Sequence, residues 1–138
     1  MTEKKKIIWT DEYSVGVQEL DKQHQRLIGS INALSDLVNN DEIVTLESEP
    51  YNVLIWFARE HLHYEEFLLK KHSYPLTVQH KKQHEFYLDG LDALTEPIKK
   101  TGGVPAKVCY DFACDWLIQH ILVEDMKYKP FFEEKGVN

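Results

Sequence analysis

Four stretches of the chain carry apolar side chains at helical spacing, and helix breakers separate them. The first, about 17–39, puts Leu20, Leu27, Ile31, Leu34 and Val38 on one stripe and stops at Asn39-Asn40-Asp41. The second, about 50–71, takes Pro50 into its first turn, aligns Val53, Phe57, Tyr64 and Leu68, and breaks at Ser73-Tyr74-Pro75. The third, about 76–99, runs on Leu88, Leu91 and Leu94; Pro97 weakens its end and Thr101-Gly102-Gly103 closes it. The fourth, about 105–127, runs through Cys109, Ala113, Trp116, Leu117 and Val123 until Pro130 ends it. An amphipathic helix must bury its stripe. Four of similar length with short connections do so as an all-α, up-down-up-down antiparallel four-helix bundle. Residues 1–16 read as an N-terminal arm that packs across a bundle end through Trp9, Tyr13 and Val15, with Lys4–Lys6 solvated. Residues 128–138 read as a tail that packs through Phe131 and Phe132 and then frays. The 138 residues suit one domain.

Composition narrows the function classes. Sixteen Lys and Arg against 23 Asp and Glu leave a net charge of −7. Such a surface repels polyanions, so neither a nucleic acid nor an anionic membrane is the expected partner. No apolar run reaches signal-peptide length after the N-terminal lysines, and none approaches the roughly 20 residues of a membrane span. The expected location is the cytoplasm. Cys109 and Cys114 are five apart, about 140° of helical rotation, and read as reduced thiols.

The chain has 7 histidines, and five of them fall on the apolar stripes. His24 lies between Leu20 and Leu27. His61 continues Val53 and Phe57. His80 and His84 lead into Leu88, and His120 follows Trp116 by four. A single buried imidazole is usually a hydrogen-bonded core residue. Five would need five internal partners, and each unsatisfied polar group costs about 1–3 kcal/mol. A metal site satisfies them together, because neutral imidazole is a good ligand for iron, zinc or copper.

Spacing sets out a donor set. His80-x-x-x-His84 places two imidazoles one turn apart on one face, and His61-x-x-x-Glu65 does the same for an imidazole and a carboxylate. Glu65 shares its face with Tyr64 and Leu68 and points inward, where an unpaired carboxylate is costly. Asp125 lies five after His120, a poor match in an ideal helix. Either the helix is widened there into a π-bulge or one of the two is not a ligand. Five histidines and two carboxylates from four helices exceed the four ligands of one zinc and suit two metals. No HExxH occurs, which disfavours a zincin-type protease. Glu60-x-x-His63 is the single Glu-x-x-His, so the set is not that of the carboxylate-rich ferritin-like enzymes. A histidine-rich set favours ferrous iron, and hence reversible chemistry over oxygen activation. His63 and His72 read as surface residues; Glu66 faces about 100° away from Glu65, toward solvent or, as the alternative, behind a ligand that it could orient.

These residues resemble the hemerythrin family, in particular its single-domain bacteriohemerythrins. The resemblance is carried by Trp9…Tyr13-Ser14-Val15-Gly16-Val17, Leu20-Asp21-Lys22-Gln23-His24, His61-Leu62-His63-Tyr64-Glu65-Glu66, Tyr74-Pro75 with His80-x-x-x-His84, and Trp116-Leu117-x-x-His120-Ile121-x-x-x-Asp125 with Tyr128. Leu62 stands where Phe is common, and Ser73 where Gly is common. The resemblance implies two iron ions with an oxo or hydroxo bridge. His80, His84 and His120 would hold one iron. His24 and His61 would hold the other and leave it an open position. Glu65 and Asp125 would bridge the pair.

The activity implied is reversible dioxygen binding for storage, transport or delivery, by a monomer that is not an enzyme and that passes O2 to an unidentified protein recipient. Leu27, Ile28, Trp116, Leu117 and Ile121 are candidates for the apolar wall of the oxygen pocket, with ordinary core packing the alternative. Two other functions compete. One is an oxygen or redox sensor acting through a partner; the other is a di-iron oxidase, peroxidase or nitric oxide reductase.

Overall fold

A computed structural model describes residues 6–138; the start of the expected arm, with Lys4 and Lys5, lies outside the described residues. Four helices run up and down as an antiparallel bundle: α1 (Gln18–Asn39), α2 (49–71), α3 (Thr77–Thr101) and α4 (106–135). Two of them are not uniform. α2 passes through a π-helical turn at Phe57–His61, and α4 through a longer π-helical stretch at Leu117–Asp125. The connections stay short, as an antiparallel bundle requires. Two loops at one end also pair as a small ribbon, β1 (Ile43–Val44) with β2 (Val104–Pro105), which the sequence pattern does not announce. No helix among the described residues is long and apolar enough to cross a membrane.

The arm is fastened rather than free. Ile7 donates its N–H to Asn32 Oδ1 at 2.7 Å and accepts from Asn32 Nδ2 at 2.9 Å. Trp9 stacks on Tyr13, and Val15 is fully buried. Asp21 then holds the turn into α1 by accepting from Ser14 Oγ at 2.6 Å and from Val15 N at 2.8 Å.

The apolar core is divided. A large cluster fills most of the bundle, from Leu27 and Ile31 on α1 through Leu54 and Phe57 on α2 and Leu91 on α3 to Ile121 on α4. A smaller one gathers Val15, Val17, Leu20, Leu68, Leu69, Tyr74, Tyr128 and Phe132. Each fully buried Leu, Ile or Phe contributes about 1.5–3 kcal/mol. Between Leu20 and Leu27, and between Leu62 and Leu68, the two clusters are separated in sequence by His24 and Glu65.

Several expected faces shift. Tyr87, not Leu88, continues the stripe of α3, which reads His80, His84, Tyr87, Leu91, Leu94, Ile98; Leu88 is 42% exposed. Val123 is 48% exposed, because the π-helical stretch turns Ile121 and Asp125 inward instead. Pro97 leaves α3 intact to Thr101, whose hydroxyl caps Pro97 O at 2.8 Å, and Gly102 (φ 86°) ends the helix. Pro130 likewise fails to end α4. Tyr128 and Phe132 on either side of it are fully buried, and that packing keeps the segment helical to Lys135. Residues expected as a fraying tail are thus a helical end, closed by Gly136 at φ 71°.

Candidate metal centre

Seven side chains meet where the two apolar clusters part. His24 comes from α1, His61 and Glu65 from α2, His80 and His84 from α3, and His120 and Asp125 from α4. All seven are between 0 and 2% exposed. They form two overlapping quartets, Glu65 with His80, His84 and His120, and His24 with His61, Glu65 and Asp125. Within each quartet the donor atoms all lie within 4.8 Å of one another.

Glu65 divides its oxygens between the two groups of imidazoles. Its Oε1 faces His80 Nε2, His84 Nε2 at 2.9 Å and His120 Nε2 at 3.6 Å. Its Oε2 faces His61 Nε2 at 3.2 Å and His24 Nε2 at 3.9 Å. Asp125 divides the same way, with Oδ1 at 2.9 Å from His120 Nε2 and 3.1 Å from His80 Nε2, and Oδ2 at 3.2 Å from His24 Nε2.

The π-helical stretch makes the second division possible. Five residues of an ideal α-helix would turn Asp125 about 140° away from His120. Hydrogen bonding from i to i+5 over Leu117–Asp125 returns both to one face.

The local electrostatics are those of a cation site. Burial raises the carboxyls of Glu65 and Asp125. The surrounding imidazoles, His80 for Glu65 and His120 for Asp125, outweigh it and hold both well below the usual carboxylate range. Burial lowers His61 to about 4. Burial also opposes the charge on His80, but Glu65 and Asp125 hold it up at about 10.

Iron or another divalent cation fits these residues. Asp125 Oδ1, Asp125 Oδ2 and His120 Nε2 are buried without a hydrogen bond, although Asp125 and His120 approach to 2.9 Å. His24 Nε2 and His61 Nε2, by contrast, are within hydrogen-bond distance of each other at 3.3 Å. Lone pairs that crowd together without aligning on one another are aimed at a common point between them.

Of the candidates for an apolar wall, Leu27, Ile28, Leu117 and Ile121 are buried in the large cluster, as ordinary core packing would also have them, and Trp116 stacks on His120 at 4.0 Å between ring centroids. Phe57 does the same for His61 at 4.2 Å; as a stripe residue it gave no sign of lying against the site.

Three further residues complete the surroundings. Tyr128, expected in the tail, donates its hydroxyl to Glu65 Oε2 at 3.0 Å; its place three after Asp125 on one helix was the available signal. Gln23 Oε1 accepts from His61 Nδ1 at 2.7 Å, a contact between helices that neighbouring positions cannot reveal. Glu66 is only partly exposed, its side chain 27% accessible. Its Oε2 lies 2.9 Å from His84 Nδ1, and that imidazole holds its carboxyl below the usual range. His63 is exposed as expected, but His72 is half-buried, edge-on to Phe132.

Comparison with known proteins agrees with this geometry. Residues 15–132 match the model of the hemerythrin HHE cation binding domain. A bacteriohemerythrin of Pseudomonas paraeruginosa is 26% identical over 122 residues, covering 88% of this chain and 78% of its own. A myohemerythrin of Theromyzon tessulatum is 31% identical over 121 residues, covering 88% and 89%. A hemerythrin-like protein of Naegleria gruberi is 32% identical over 121 residues with the same coverage. With the family model spanning most of its length, this chain belongs to the hemerythrin family.

Proposed function

We propose that the protein binds dioxygen reversibly at a di-iron centre and serves as an oxygen carrier rather than an enzyme. The observation that carries this reading is the division of two buried carboxylates between a three-histidine and a two-histidine group. His80, His84 and His120 would hold one iron and His24 and His61 the other, with Glu65 and Asp125 contributing to both groups. The two-histidine side has one protein donor fewer, so an exogenous ligand has its place there. When bound, a ferrous pair would supply the electrons for reversible O2 uptake.

The chain's own part is to hold, orient and exclude. Leu27, Ile28, Leu117 and Ile121 keep bulk water from the centre, which suppresses proton entry and loss of reduced oxygen. Tyr128 steadies Glu65 by donating to the oxygen on the two-histidine side. Cys109 and Cys114 are not joined in a disulfide, which suits a reducing cytoplasm.

The test is spectroscopic. Iron-loaded protein is reduced without oxygen, exposed to air and then evacuated. Charge-transfer bands that appear with air and fade on evacuation support carriage. Irreversible bleaching, or steady consumption of added reductant, sinks it in favour of an oxidase. Replacing His24 with Ala should lower iron content toward one per chain.

A further inference from the structure

His61 and His84 both turn Nε2 toward the carboxylates, and both have their other ring nitrogen anchored. Behind His61 Nδ1 stands Gln23 Oε1 at 2.7 Å. Behind His84 Nδ1 stands Glu66 Oε2 at 2.9 Å. The arrangement is selective, because Nδ1 of His24 and of His120 is buried without a hydrogen bond. Each quartet therefore has one imidazole whose ring angle and tautomer are fixed from outside. The two anchors differ in kind. Gln23 offers a neutral amide oxygen, Glu66 a carboxylate. A charged acceptor draws the Nδ1 proton more strongly and leaves Nε2 the better electron donor.

We infer that Gln23 and Glu66 are positioning residues, each strengthening metal binding in its own half of the centre, with Glu66 adding charge to orientation and Gln23 supplying orientation alone. The inference rests on the reading that both quartets hold metal. Its consequence is separability. Glu66 acts on the half built around His80, His84 and His120, and Gln23 on the half built around His24 and His61. Exchanging the acceptor type at one anchor changes one binding step and spares the other.

Titration of the chelator-stripped full chain with Co²⁺, followed by visible absorption, tests this without oxygen chemistry. His84→Ala and His24→Ala serve as references that identify the signal of each half. Glu66→Ala should weaken the His84 half by roughly tenfold to a hundredfold, the range for removal of such partners, and Glu66→Gln by less. Gln23→Ala should weaken only the His61 half, and Gln23→Glu should strengthen it. A merely structural role would weaken both halves together and would not let Gln23→Glu tighten one. Circular dichroism of the stripped variants confirms the fold. If wild type takes up fewer than two equivalents, the di-metal reading falls and this inference with it. If wild type takes two while the Gln23 and Glu66 variants leave both steps unchanged or shift them equally, the inference alone is overturned.

Discussion

Tyr128 donates its phenolic proton to Glu65 Oε2 at 3.0 Å, joining two fully buried residues 63 positions apart in the chain. The contact reaches from the smaller apolar cluster into the candidate centre. Burial and the nearby Asp125 and Glu65 charges raise the Tyr128 hydroxyl above its ordinary range, so it stays a donor. Tyr128→Phe keeps the ring and removes the donor. It should destabilise the metal-free protein by about 1–3 kcal/mol, the cost of an unsatisfied buried acceptor. Urea unfolding of the two chains measures the difference. A change near zero would mean that the remaining imidazoles satisfy Glu65 unaided.

Metal should stabilise this fold strongly. Loading relieves the crowding of buried donors around Glu65 and Asp125. At a free metal concentration a hundredfold above Kd, binding adds about 2.7 kcal/mol per site. The loaded protein should melt well above the chelator-treated one, and Asp125→Asn should reduce that gap. Equal melting temperatures with and without metal would count against the assignment.

Two glycines with opposite backbones should respond in opposite directions. Gly102 sits at φ 86° after α3 with open space around the position of a Cβ, so Ala there meets only backbone strain. The expected loss for Gly102→Ala is about 1–2 kcal/mol. Gly29 lies within α1 with nothing within 4 Å of a Cβ, and Gly29→Ala should gain about 0.5–1 kcal/mol. Thermal denaturation of both variants beside wild type decides the signs.

Burial pushes the Cys109 thiol up from about 9 to about 11. The folded chain thus keeps a proton that the unfolded chain gives up. The associated stability is intact below pH 9 and drains away as pH rises toward 11. Cys109→Ala lacks this dependence. Its stability deficit relative to wild type should narrow between pH 8.5 and 10.5. A constant deficit across that range would show that the thiol ionises alike in the folded and unfolded chains, so that burial does not shift it.

The helices and most of the candidate ligands were legible from local spacing, while Asp125 entered the set only through the family resemblance. His80 and His84 follow from i,i+4 geometry, and burial of Glu65 from its neighbours. The spacing of His120 and Asp125 forced a choice between a widened helix and a false ligand, and the π-helical stretch resolves it. Where Leu88 was expected inside, Tyr87 is found, since either lies three or four residues from His84 and tertiary packing makes the choice. Pro130 was read as a stop, from a local penalty that the buried neighbours Tyr128 and Phe132 override. Gln23 and Glu66 show the firmer limit. Their partners lie on other helices, and no periodicity in their own segments encodes those contacts.

The polar layer that parts the core also bears on cooperativity. Eight buried residues around Tyr128 and Phe132 lie on one side of it, and the larger cluster on the other. Across the layer, the metal-free chain has crowded imidazoles and carboxylates in place of continuous apolar contact. A bound metal pair would tie four helices together at that level and make the two compartments unfold as one. Without it, the smaller compartment, which includes the chain's last helical turns and the turn after α2, is the part of the molecule free to open alone.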